Sequence, residues 1–429
     1  MSIEPSDMEI LRWILSRPTA PFWEEPVACD VMTWAEEQGV AARRDRWGNV
    51  VLDWPGVAAP RGAGILPACR EGVSPSPIQP VGTTFRDGQS DAGETPASRG
   101  ACAVGWCLAA HLDHPGFVLR RVRDGVAWAE FLGGVREEFF VGGRVAFFPN
   151  SSGVVKGVIR KMHMPPAQGE AQSGTKGGGR GDEVFPVAEI ELAGSSSSVL
   201  ASGVVPPEGV LGMWDFPAMR VRGPVLSSRA CDDLVGCAAV LGAMRRIVEV
   251  RPAHRVTALL TRAEEVGFVG ALAACDAGTV AAGSLVISVE ASKAQPGAGL
   301  GDGAVVRVGD ASRTFDPSVT AMLSATAAEL AKADGGFRWS RQLMPGGTCE
   351  ASAYQARGFR VGGVCLPLAN YHNMGPRGRV APERVHLGDF AAVVQLLTAL
   401  VQQPPDPSAA DRRLEQRLDD IWARHRARL

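Results

Sequence analysis

Apolar residues recur at helical spacing in the opening stretch, which predicts one helix around Met8 to Leu15 and a second from Trp23 to Gln38 with Val27, Val31 and Trp34 on one side. Gly39 ends the second helix. A short β pattern follows in Asn49 to Leu52. From about Val57 to Gly100 the chain is rich in Gly, Pro, Ser, Thr and Asp without an apolar period, which reads as a disordered or loosely held surface insertion. Val104 to Ala110 is then a nearly continuous apolar run, the pattern of a strand buried on both faces. It delivers His111 at its carboxyl end, where α/β sheets place their chemistry.

Between about Phe117 and Trp214 the runs become short and strand-like, as in Arg144 to Phe148, Gly157 to Met162 and Val187 to Leu192. Glycine-rich turns such as Gly174 to Gly181 and the serines Ser195 to Ser198 separate them. After Trp214 helix and strand alternate: a helix from Gly236 to Val248, strands at Val256 to Leu260 and Leu285 to Val289, and a helix from Pro317 to Ala333. The expected fold class is α/β, a mainly parallel sheet with helices on both faces and a small inserted β-barrel-like module. The expected division is a discontinuous catalytic part, 1–116 and 215–403, a β insert at 117–214 for assembly or substrate access, and a charged helical tail at 404–429 that follows Pro404 to Pro407.

Length and composition narrow the function. At 429 residues the chain is long enough for more than one core. A net charge of −2 provides no field for a phosphate backbone or an anionic membrane. No window approaches the roughly 18 uncharged apolar residues of a membrane span, and the N-terminal MSIEPSDMEI lacks a basic stretch followed by an apolar run, so a cytoplasmic protein is expected. The nine cysteines are scattered without CxxC pairs and read as small buried hydrophobes.

Five segments place imidazoles or carboxylates at predicted strand ends or in the loops after them: His111-Leu-Asp113, Cys231-Asp232-Asp233, Ala263-Glu264-Glu265, Val289-Glu290-Ala291 and Tyr371-His372-Asn373. Together they form the kit for two divalent cations that favour nitrogen and oxygen ligands, zinc first, with cobalt or manganese as alternatives. A co-catalytic pair needs one carboxylate to bridge cations roughly 3.5–4 Å apart, and Asp232 is the candidate. His111 and Glu290 complete one site; Glu265 and His372 complete the other. Asp113 is placed to accept the second N–H of the His111 ring. Glu264, next to a ligand on an extended segment, points elsewhere and acts as general base and acid, taking a proton from the attacking water and returning it to the leaving amine.

The bland alternative makes Glu264 and Glu265 an exposed pair at a helix start. They instead sit between the apolar run Val256 to Leu260 and Val266-Gly-Phe268, and Glu290 ends the run Leu285 to Val289, poor settings for unpartnered carboxylates. His114, His163, His254, His386 and His425 lie outside this set; His254 and His425 read as surface residues, while His114 neighbours the site.

These segments resemble the metallo-aminopeptidases that include the tetrahedral, deblocking and glutamyl aminopeptidases. The matching elements are His111-Leu-Asp113, Ala230-Cys-Asp-Asp-Leu-Val-Gly236, Glu264-Glu265-Val-Gly-Phe-Val-Gly270, Met344-Pro-Gly-Gly-Thr-Cys349 and Pro367-Leu-Ala-Asn-Tyr-His372. Their order and the β-rich insert also agree, so the resemblance runs from residue 8 to about 402. It implies a zinc-peptidase-like fold, two metal ions, a bridging Asp232, a base at Glu264, ligand roles for His111, Glu265, Glu290 and His372, and homo-oligomers. Where the family has Asp-Glu, Asp, Arg-Tyr and Gly-Gly-Thr-Asp, this chain has Asp113-His114, Glu290, Asn370-Tyr371 and Gly346-Gly-Thr-Cys349. The expected activity is removal of N-terminal residues from peptides. A di-metal amidase, deacylase or carboxypeptidase shares the same core, and a non-catalytic metal-binding scaffold is the reading from a different class.

Overall fold

The computed structural model describes residues 3–56, 105–149, 153–165, 185–193, 205–206 and 208–426. The expected insertion at 57–100 and the runs at 174–181 and 195–198 lie outside the described residues. Helices α1 (Pro5–Ser16) and α2 (Glu25–Glu37) open the chain, each with proline in its first turn, where the missing N–H has no helical partner to lose. Gly39 follows α2 at φ 66°, a left-handed conformation that suits glycine at a helix end. Strands β1 (Ala41–Arg44), β2 (Val50–Trp54) and β3 (Trp106–His111) come next, and every residue of β3 is buried.

The chain then leaves the sheet to form a closed barrel from β4 (Gly116–Arg123), β5 (Val126–Leu132), β6 (Arg144–Phe147), β7 (Val155–His163), β8 (Val187–Leu192) and β9 (Val210–Trp214), in the order β4-β5-β8-β7-β6-β9. Closure removes the open edges that short antiparallel strands otherwise expose. Its centre is aromatic: Phe117 lies 4.9 Å from Phe131 and 5.0 Å from Trp214, and Phe131 lies 4.8 Å from Phe140, centroid to centroid. A Cβ at Gly212 would stand 2.6 Å from the Phe147 ring, so only glycine fits there.

Beyond the barrel come β10 (Arg220–Arg222), β11 (Val225–Ser228), α3 (Leu234–Val250), β12 (Val256–Thr261), α4 (Val269–Asp276), β13 (Leu285–Lys293), β14 (Ala304–Gly309), α5 (Pro317–Ala333), β15 (Trp339–Leu343), α6 (Glu350–Ala356), β16 (Arg360–Leu368), β17 (Glu383–His386), α7 (Leu387–Leu400) and α8 (Ser408–His425). The main sheet has eight strands ordered β1-β2-β12-β3-β13-β16-β14-β15. Its centre, β12-β3-β13-β16, is parallel throughout. Alternate residues of β3 feed two cores. Leu108 and Ala110 join the larger one with α1, α2, α3, α5 and α7, while Cys107 and Ala109 join a smaller one with α4 and α6. Helices therefore cover both faces, which is why the central strands are apolar without alternation.

Strands β10, β11 and β17 form a separate three-stranded sheet. The charged tail is helical as expected, and its first turn is tied to α5 by a 2.8 Å hydrogen bond from Ser318 Oγ to Asp411. The described cysteines are buried or half-buried thiols, as composition suggested. Among the described residues no helix is long and apolar enough to cross a membrane.

Phe117→Ala is expected to destabilise the protein by about 3–5 kcal/mol, because it empties the centre of the barrel. Chemical denaturation checks this, and a loss below about 1 kcal/mol would show that the aromatic cluster does not hold the barrel together.

Candidate active site

The four parallel strands at the centre of the sheet end on the residues singled out by sequence. His111 is the last residue of β3, Glu290 lies in the second half of β13, Glu264 and Glu265 follow β12, and His372 lies in the turn after β16. Asp232 stands just before α3. His111, Asp113, Asp232, Glu264, Glu290 and His372 are all buried, and Glu265 is half-buried.

Asp232 faces both imidazoles, with Oδ1 3.6 Å from His111 Nε2 and Oδ2 3.6 Å from His372 Nε2. Around His111 Nε2 stand Glu290 Oε2 at 3.8 Å and Glu264 Oε2 at 4.0 Å. Around His372 Nε2 stands Glu265 Oε1 at 3.1 Å. Most of these separations are too long for hydrogen bonds. They suit donors that share a cation, since tetrahedral zinc with ligand bonds of about 2.0–2.2 Å places its ligand atoms roughly 3.4 Å apart.

Two further observations fit cations at this place. Asp232 Oδ1 and Asp233 Oδ1 are buried acceptors without a hydrogen-bond partner, and Glu265 Oε1 meets only His372 Nε2 at 3.1 Å. Such groups cost stability unless something positive meets them. The imidazoles also register a deficit of positive charge. Burial works against protonating His372, yet Glu265 and Asp232 outweigh it and lift the ring to about 9. His111 is likewise raised despite burial, mainly by Glu264, Asp113 and Asp232. Burial pushes the Glu264 carboxyl well above the usual range, with His111 opposing it. Three overlapping sets of donor atoms are close enough to hold a cation: Asp232, Glu265 and His372; His111, Asp233 and Glu290; and His111, Glu264 and Glu265.

Asp113 does more than orient a ring. His111 Nδ1 lies 3.1 Å from the Asp113 backbone carbonyl and 3.6 Å from its carboxylate, so the imidazole N–H is met by the main chain. The carboxylate instead accepts the backbone N–H groups of Glu264 at 2.9 Å and Glu265 at 3.0 Å. On the other side of that loop, buried Glu24 accepts from Ala263 N at 2.9 Å and from Arg262 Nε at 2.7 Å. Ala263 has φ 52°, a left-handed conformation that costs a residue with a Cβ about 1–2 kcal/mol. The two carboxylates hold that turn.

Sequence reasoning gave Asp233 no role and missed Glu383 altogether. Asp233 accepts the His111 backbone N–H at 3.4 Å and stands among the candidate ligands. Glu383, at the start of β17, accepts backbone N–H groups from Cys231, Asp232 and His372. His114 lies behind the site, its Nδ1 against the Asp232 carbonyl and its Nε2 3.0 Å from Asn373 Oδ1. His372 Nδ1 meets the Gly134 carbonyl at 2.6 Å, which turns Nε2 towards Asp232.

The cluster opens into a cleft of about 240 Å3 whose walls include Lys293, Arg307, Met344, Thr348, Cys349 and Tyr371. Arg307 is only 3% exposed.

Solved peptidases share this fold. The TET1 peptidase of Pyrococcus horikoshii aligns with a TM-score of 0.64 at 19% identity over 93% of this chain and 100% of its own. An aminopeptidase from the archaeon Desulfurococcus kamchatkensis aligns with a TM-score of 0.63 at 20% identity, covering 94% and 96%. A TET aminopeptidase from a marine-sediment Thaumarchaeota archaeon gives 0.65 at 17% identity, covering 93% and 97%. Residues 97–396 match the M42 glutamyl aminopeptidase family, and the chain belongs to that family of peptidases. No curated protein matches the sequence.

Asp113→Asn leaves one acceptor oxygen for two N–H groups, one buried and one half-buried, and shifts the Glu264–Glu265 turn. Peptidase turnover is expected to fall about 100-fold, the usual scale for an ångström of misplacement. Turnover within a factor of about two of wild type would show that the turn holds its geometry without this clamp.

Proposed function

We propose that the chain is a metal-dependent aminopeptidase that removes N-terminal residues from peptides, with His111, Asp232, Glu265, Glu290 and His372 holding two divalent cations. Zinc suits this donor set best, and cobalt or manganese can take the same ligands. The observation that carries the reading is Asp232, whose two oxygens each face one imidazole at 3.6 Å, as a bridging carboxylate requires. Cations there supply a polarised water as nucleophile and a Lewis acid for the scissile carbonyl. Glu264 accepts the proton of the attacking water and passes it to the leaving amine, while Asp113 fixes the backbone from which Glu264 projects. Asp233 anchors the β3 end through the His111 N–H.

The reading includes a homo-oligomer working in the cytoplasm. The Pyrococcus TET1 peptidase assembles into a tetrahedron or a large octahedral shell, and its fold is shared over most of this chain.

The cleft also suggests which substrates fit. Arg307 makes no hydrogen bond or ion pair among the described residues and lies 5.7 Å from the Phe315 ring. Its charge is met at longer range by Glu290 and Asp310, but its guanidinium lacks a direct carboxylate contact, and the side chain of an N-terminal Glu or Asp supplies one. The family's name fits that preference.

Hydrolysis of free and N-acetylated aminoacyl amides, with zinc, cobalt or manganese and a chelator control, tests the reading. Chelator-sensitive cleavage confined to free amines is expected. Cleavage of acetylated substrates would replace the aminopeptidase with a deacylase or amidase, and no metal-dependent turnover would leave a scaffold. In the same assay Glu264→Gln should keep its metal and lose about 10²–10⁴ in kcat. Arg307→Met should lower kcat/KM for acidic residues roughly 10–150-fold relative to leucine, the value of a charge-assisted hydrogen bond. An unchanged Glu-to-Leu ratio would remove Arg307 from the specificity pocket.

A further inference from the structure

We propose that Glu383 is a positioning residue that builds one cation position, the one formed by Asp232, Glu265 and His372, by holding two distant segments with one carboxylate. The inference rests on the cation-binding reading of the site but not on the reaction catalysed there.

Glu383 is fully buried at the head of β17, whose neighbour β11 leads into the Asp232 segment. Its Oε2 accepts the N–H groups of Cys231 at 2.7 Å and Asp232 at 3.0 Å. Its Oε1 accepts the N–H of His372 at 2.8 Å. Both ligands of this position that come from outside the glutamate turn therefore hang on one side chain. The third, Glu265, hangs on Asp113 in the same manner.

His372 needs the support. Its φ is 52°, and Asn370 and Asn373 stand at 61° and 60°, so non-glycine residues of one turn share the left-handed region. The Asn370 side chain adds a second tether, donating to the Pro382 carbonyl at 2.7 Å. By contrast, His111 and Glu290 are held without Glu383: the His111 N–H goes to Asp233, and Glu290 accepts from Ser288 Oγ at 3.1 Å.

This division makes the two positions separable. A glutamine at 383 keeps one acceptor oxygen, which is best used on the paired donors of Cys231 and Asp232. Its NH2 then faces the His372 N–H, donor against donor, and the turn must move. The His111 position shares only Asp232 with it, and the Asp232 N–H keeps its acceptor oxygen in this variant, so that position changes less.

The test is cobalt(II) titration of full-length, chelator-stripped wild type and Glu383→Gln, followed by visible absorption and by direct measurement of bound metal. Wild type is expected to take up two equivalents. The variant should bind one as wild type does and the other at least tenfold more weakly, with a changed absorption band for that equivalent alone. Its peptidase kcat should recover at high cobalt while KM stays near the wild-type value. Glu383→Asp, which keeps both oxygens on a shorter arm, should show the same selective loss to a smaller degree and guards against a variant that fails to fold. Wild-type-like uptake of both equivalents in both variants overturns the proposal, as does equal weakening of both accompanied by a lower melting temperature of the metal-free protein. Two bound cobalt ions in a wild type that cleaves no peptide would refute the aminopeptidase reading while leaving this selectivity to be read out.

Discussion

The constraint around which this structure is arranged is buried negative charge. Asp113, Asp232, Asp233, Glu264, Glu290, Glu350, Glu383 and Glu24 are all buried around the carboxyl ends of the central strands. Carboxylates removed from water are stable only when their oxygens are met by donors or cations. The fold meets them in different ways. Asp113 and Glu383 are given main-chain N–H groups, Glu24 is given Arg262, and Glu350 is given the Thr261 hydroxyl on Oε1 while its Oε2 stays without a partner. Asp232 Oδ1 is left open, and with Glu265 and Glu290 it faces the two histidines.

The parallel centre of the sheet makes this arrangement possible. Strands β12, β3, β13 and β16 point the same way, so their four carboxyl ends converge on one rim. Each strand is buried on both faces, which fixes its register and leaves no freedom for a terminal residue to turn outward. The polar residues at those ends therefore have no route to solvent except the cleft.

Much of this was legible in the sequence because it depends on local pattern. The apolar run ending at Ala110 announced a buried strand with His111 at its tip, and the observed strand is Trp106–His111. The expected strand over Val187 to Leu192 has those same limits, and both N-terminal helices lie where the spacing placed them. Less legible were residues whose meaning is a partner far along the chain. Asp113 was read as a companion of the nearby His111 ring, 3.6 Å away, and its carboxylate also clamps the turn at Glu264 and Glu265, a pairing no spacing reveals. Glu383 sits in Pro-Glu-Arg without any periodic signal, and only the pairing of β17 with β11 brings it beneath Asp232. Arg307 carried no signal in the sequence, and only the placement of β14 between β15 and β16 buries it. His114 adjoins the site in sequence yet is turned behind Asp232 by its two hydrogen bonds.

The contact between His372 Nδ1 and the Gly134 carbonyl crosses from the sheet to the segment that follows β5 of the barrel. That carbonyl selects which ring nitrogen keeps its proton, and so which nitrogen is free to face Asp232. The barrel is thus a working part of the catalytic edge rather than an attachment to it. Transplanting it from a relative succeeds only if the donor brings a main-chain oxygen to the same point, and any ligand or neighbouring copy that tilts the barrel retunes the histidine at a distance.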